Sequence, residues 1–87
     1  MNTFQLVVST PDGNAFEGQC EELIVRGTEG ELAVMAGHIP FVTGLVKSKC
    51  TIVLPEGEER VAFVEGGLLT VARESVTLIA GSFEFAE

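Results

Sequence analysis

The sequence predicts an all-β domain, a two-sheet sandwich of about ten short strands. Three observations carry that expectation. Apolar residues recur at every second position, as Phe4, Leu6 and Val8 do, which places them on one face of an extended chain. Turn formers interrupt these stretches throughout, with ten glycines and three prolines in 87 residues. No window of helical length sustains a 3.6-residue period. Several stretches are apolar on both sides, and a single wet sheet would expose half of that surface. Two packed sheets, as a sandwich or flattened barrel, bury more of it.

Taken in order, the first strand is Phe4-Gln5-Leu6-Val7-Val8. Pro11-Asp12-Gly13-Asn14 closes it as a turn, because proline fixes φ and glycine or asparagine accepts a left-handed dihedral. A short strand over Ala15 to Gly18 and a longer one from Cys20 to Arg26 follow. Gly27 to Glu31 reads as a loop. Leu32 to Met35 is extended, Gly37-His38-Ile39-Pro40 breaks it, and Phe41 to Val46 resumes. Lys49 to Leu54 runs into the turn Pro55 to Glu58 and returns as Arg60 to Glu65. Gly66-Gly67 allows a sharp change of direction before Leu68 to Ala72. Arg73-Glu74 links to Ser75 to Ala80, and Phe83 and Phe85 alternate near the end. The expected core is Leu6, Val8, Ile24, Leu32, Ile52, Phe63, Val71 and Leu78. No linker or low-complexity tract divides the chain, so residues 1–87 make one domain.

Five basic residues face thirteen acidic ones, for a formal charge of −8. Neutralising a nucleic-acid backbone takes several cations, and Lys47 and Lys49 are the only basic pair close in sequence. Anionic lipid surfaces are disfavoured for the same reason. A partner of this chain is basic or apolar at the contact. The longest apolar runs reach only a few residues, so no bilayer insertion is expected. No positive segment precedes an apolar run at the start, which argues against a secretion signal. Cys20 and Cys50 lie in apolar stretches and read as two buried thiols in a reducing compartment.

No catalytic, metal or cofactor site emerges from the residues. His38 is the only imidazole, and two separated thiols plus one histidine lack a zinc spacing. Ser9 or Ser75 with His38 and Asp12 could be written as a triad, but no nucleophile-elbow motif accompanies them. His38 in its Gly-x-x-Pro turn either positions backbone or touches a partner. Gly27 to Glu31 lacks the lysine and following helix of a phosphate cradle, and Glu29 and Glu31 would repel the anion. It also has too few oxygen ligands for a calcium loop. A structural or interaction domain is the default reading.

The order of the unusual turns is more specific. Glu29-Gly30-Glu31-Leu32, Gly37-His38-Ile39-Pro40 and Thr43-Gly44-Leu45 closely resemble the central signature of the epsilon subunit of F-type ATP synthase. Phe4 to Ser9, Phe16-Glu17-Gly18 and Gly66-Gly67-Leu68-Leu69-Thr70-Val71 also look like that family, so the resemblance covers essentially the whole chain. It implies a β-sandwich of two five-stranded sheets at the foot of the central stalk. It further implies a non-catalytic rotor subunit that binds the gamma subunit and the membrane c-ring. Such a subunit couples H⁺ or Na⁺ translocation to ATP synthesis on the cytoplasmic side of a bacterial plasma membrane. Residue for residue, the resemblance places Glu29, Gly30 and Glu31 against the c-ring and Ser9, His38 and Thr43 against gamma. It implies no cofactor, and a monomer when the chain is isolated. The family's inhibitory helical hairpin has no room after Phe85, so a chain ending at Glu87 is expected neither to brake hydrolysis nor to sense nucleotide. The rival reading is a free-standing β-sandwich that binds protein or carbohydrate. The absence of Trp and Tyr platforms weighs against the sugar-binding form.

Overall fold

The computed structural model describes residues 2–86. They form eight strands and, among the described residues, no helix. The strands are β1 (Phe4–Thr10), β2 (Gly13–Cys20), β3 (Glu22–Gly27), β4 (Gly30–Met35), β5 (Phe41–Leu45), β6 (Ser48–Val53), β7 (Glu59–Val71) and β8 (Ser75–Phe85).

Eight strands replace the expected ten because β7 and β8 are long and each serves both layers. β7 pairs with β6 through Glu59 to Val64 and with β5 through Gly67 to Val71. β8 pairs with β1 through Ser75 to Ile79, then follows β7 to its end at Phe85. One layer therefore runs β2-β1-β8-β7-β5, and the other runs β4-β3-β6-β7-β8. Each has five members, as the resemblance implies. β1 and β8 are parallel, and the other pairs are antiparallel. A Gly27–Leu45 pairing ties β3 to β5.

Gly66-Gly67 does not reverse the chain. The β7–β8 ladder passes from Glu65–Ser82 to Gly67–Ala80 without a register change, skipping the position where Gly66 faces Gly81. Gly66 and Gly67 have φ of 65° and 152°, a region that L side chains rarely adopt. A Cβ on Gly67 would lie 2.2 Å from the Ile79 carbonyl oxygen. The two glycines thus bend a continuous strand from one layer into the other.

Strand alternation decides the interior. Leu6, Val8, Ile52, Val71 and Leu78 are buried as expected, together with Leu23, Val25, Val34, Val64, Leu69 and Phe83. Ile24 and Leu32 are only half-buried. Leu23 and Val25 take the inward positions of β3, which turns Ile24 outward, and Leu32 lies on the edge strand β4. Phe63 corrects the expected core outright: it is 55% exposed, because Ala62 and Val64 point inward on either side of it. Hydrophobicity alone does not choose a face; the two-residue period does.

Two segments read as loops or isolated turns are tighter than the sequence suggests. The β3–β4 connection is only Thr28-Glu29, since Gly27 pairs with Gly30 and Arg26 with Glu31. Gly30 and Glu31 accordingly belong to a strand. The first hairpin closes between Thr10 and Gly13, where the Thr10 hydroxyl donates to the Gly13 carbonyl (2.9 Å) and accepts from the Asp12 amide (3.2 Å). Cys20 and Cys50 are free, fully buried members of the core. Burial pushes the Cys20 thiol up to about 11. Burial and the nearby Cys20 push Cys50 up to about 12.

Candidate functional site

Each layer has one face on the shared core and one on the outside, and the two outer faces differ in chemistry. On the first layer, Ser9, Ile79, Leu68 and Gly44 lie side by side across β1, β8, β7 and β5. The adjoining row is Val7, Thr77, Thr70 and Val42. Neither row holds a charged group. Val42, Leu68 and Ile79 are 60%, 43% and 51% exposed. Charges appear only at its two margins, where Glu17 of β2 pairs with Val7 and where Val42 borders a cleft that carries Glu29 and Glu31.

The second outer face is charged. Lys49, Phe63 and Glu84 share a row, Arg26 stands opposite Glu31, and Glu22 lies between Met35 and Val53. Only its middle row, Ala33, Ile24, Thr51 and Val61, is uncharged.

The six candidate contact residues do not form one cluster. Ser9 lies on the uncharged face and lines a groove with Pro11, Gly67, Leu68, Ile79 and Gly81. Thr43 sits on the opposite side of β5 from Val42 and Gly44. There it lines a cleft of about 370 Å³ with Phe41, Glu29, Gly30 and Glu31, and Val42 reaches the rim of the same cleft from the uncharged face. That cleft is fastened by Thr28 N–H donating to the Gly44 carbonyl (3.1 Å) and Val46 N–H donating to the Arg26 carbonyl (3.2 Å). Ser9 and Gly44 are three strand spacings apart, roughly 14 Å. His38 occupies the β4–β5 connection, its ring 5.5 Å from that of Phe41 and its amide donating to the Met35 carbonyl (3.2 Å). Thr43 therefore keeps company with Glu29 to Glu31, and Ser9 with Leu68 and Ile79.

Reading the sequence missed Val42, Leu68, Ile79 and their threonine neighbours as surface residues. The apolar pairs Leu68-Leu69 and Leu78-Ile79 held the signal, since adjacent residues on a strand cannot both face the core. Which member faces out is settled only by the register of β7 on β8. Among the described residues, no three His, Cys, Asp or Glu side chains gather as metal ligands.

The family model for the ATP synthase delta/epsilon chain β-sandwich domain matches residues 3–86. The chain belongs to that family. Epsilon chains are similar along its whole length. That of Exiguobacterium is 37% identical over 87 residues, spanning all of this chain and 64% of the relative. That of Caldanaerobacter subterraneus is 34% identical over 85 residues, 98% of this chain and 62% of the relative. The Psychrobacter cryohalolentis chain is 39% identical over 80 residues, covering 92% and 58%. This epsilon-type sandwich thus spans less than two-thirds of the length of these curated relatives. The same fold occurs in a chain of the Euglena gracilis mitochondrial ATP synthase, at a TM-score of 0.91 and 20% identity, over 95% of this chain and 53% of that one. A chain of the Tetrahymena thermophila mitochondrial ATP synthase superposes at 0.78 with 10% identity, over 94% and 66%.

Proposed function

We propose that this chain is a non-catalytic rotor subunit of an F-type ATP synthase central stalk. It joins the gamma subunit to the c-ring, so that ion translocation and ATP synthesis turn on one shaft. The observation that carries the reading is the family match over nearly every residue. The geometry supports it. A rotor connector has to be stiff and needs two attachment surfaces, and a doubly packed β core bent through two shared strands is stiff.

The uncharged outer face is the gamma side in this reading, with Ser9 on it. Removing Val42, Leu68 and Ile79 from water drives that contact without ionic cost. The c-ring side is the β3–β4 turn, where Glu29 and Glu31 offer carboxylates to basic groups on the ring's polar loops. Thr43, in the cleft beside Glu29 to Glu31, and His38, in the β4–β5 connection against Phe41, extend the gamma contact as interface and turn residues, neither bases nor ligands. The chain is peripheral, held at the membrane by the ring rather than by the bilayer.

Reconstitution tests the reading. Complexes of gamma and c-ring assembled with this chain should recover ATP-driven ion pumping, and those assembled without it should uncouple. Pumping that is indifferent to the chain, or failure of the chain to enter the complex, would overturn it.

A further inference from the structure

The uncharged face is not flat. Beside Ser9 it sinks into a groove of about 540 Å³, walled by Pro11 on one side and by the Leu68–Ile79 cross-strand pair on the other. Its floor is backbone: Gly67, Ala80 and Gly81. The depth has a cause. Gly81 follows Ile79 on the outward side of β8 with no side chain to fill the space. Two apolar walls therefore stand over a floor stripped of side chains.

We infer that this groove is an anchor pocket that takes one apolar side chain of the gamma subunit. The inference rests on the rotor reading above and deepens it. No charged residue lines the groove, in a chain of net charge −8, so a charged occupant would be desolvated without a partner. The charged residues that flank it in sequence are both carboxylates: Asp12 next to Pro11, and Glu65 next to Gly66-Gly67. Glu65 has Lys47 at 3.5 Å, whereas Asp12 is exposed beside the groove. The complementary surface is an apolar knob with a basic residue beside it. Pockets of this kind at the centre of an interface, rimmed by polar groups that exclude water, concentrate binding energy in few residues.

Gly81 gives a test that separates the groove from the face around it. A Cβ there meets nothing nearer than the Glu65 carbonyl oxygen at 3.5 Å, an ordinary contact. Gly81→Leu plugs the groove, Gly81→Ala leaves it largely open, and Leu68→Ser and Ile79→Ser strip its wall. Affinity for isolated gamma is measured by calorimetry, with thermal unfolding of each variant as the check on folding. Gly81→Leu and the two serine variants should each weaken binding on the order of tenfold or more, while Gly81→Ala stays near the parent. If Gly81→Leu folds and binds gamma as the parent does, the anchor pocket is wrong whatever the serine variants show. Should Gly81→Leu fail to fold, Leu68→Ser and Ile79→Ser decide, and unchanged affinity in both overturns the proposal. A parent chain with no affinity for gamma would overturn the rotor reading itself, a different outcome from a parent that binds and a plug that does nothing.

Discussion

The two outer faces of this small sandwich are built from the same alternation and share two strands, yet one is uncharged and the other is not. Leu68 and Phe63 make the contrast within a single strand. Both are outward on β7 and both are exposed. Leu68 has Ile79 and Gly44 beside it, whereas Phe63 stands between Lys49 and Glu84. A lone exposed apolar residue among charges is ordinary surface, but a contiguous uncharged patch marks an interaction site. Neighbours across the sheet, rather than the residue itself, decide what an exposed side chain is for.

The sharpest way to break the contrast is at the bend that creates it. Gly67→Ala places a Cβ against backbone that cannot yield, and the cost should be on the order of 3–5 kcal/mol. In so small a domain that is close to unfolding. Urea denaturation that shows less than about 1 kcal/mol of loss would mean that the bend tolerates side chains after all.

Inward and outward positions should separate next. Leu78→Ala empties a fully buried site and should cost about 2–5 kcal/mol, whereas Phe63→Ala should stay within about 0.5 kcal/mol. Similar losses at both positions would contradict the alternation on which both faces rest.

The thiols probe the core between the faces. Both ionise in the folded chain well above the ordinary thiol range, near 11 for Cys20 and near 12 for Cys50, because burial opposes the thiolate. The unfolded chain releases these protons from about pH 8.5. Their contribution is therefore complete below that pH and is lost as pH rises through the folded values. Thermal midpoints should fall between about pH 9 and 11, and the fall should be shallower in a Cys20→Ala/Cys50→Ala variant. Parallel pH profiles for the two proteins would show that the thiols are not the cause.

Glu31→Lys carries the smallest expected effect. An exposed charge contributes only about 0.2–1 kcal/mol, so attachment to the c-ring should weaken modestly and most visibly at low salt. Ring binding with unchanged salt dependence would remove Glu31 from the contact.

Much of this was legible in the sequence. The Phe4-Leu6-Val8 alternation and the turn residues specify strands and hairpins through local chemistry alone, and the sandwich follows from apolar surface left on both sides. The Glu-Gly-Glu-Leu and Gly-His-x-Pro signatures point to the family through their spacing along the chain. What stayed hidden is non-local. That Gly66-Gly67 bends one strand rather than ending it depends on β8 following β7 around the corner. Phe63 resembles a core residue until Ala62 and Val64 are seen to face inward. The uncharged face draws on β1, β5, β7 and β8, whose residues are distant in sequence and meet only through register.

In the proposed rotor the uncharged face, and not the charged one, meets the gamma subunit. Hydroxyl-radical footprinting of this chain, free and bound to gamma, reads side-chain exposure at both faces in one experiment. Gamma should strongly protect Val42, Leu68 and Ile79, with Phe63 and Ile24 oxidised as before. Protection of Phe63 while Leu68 and Ile79 stay reactive would contradict it.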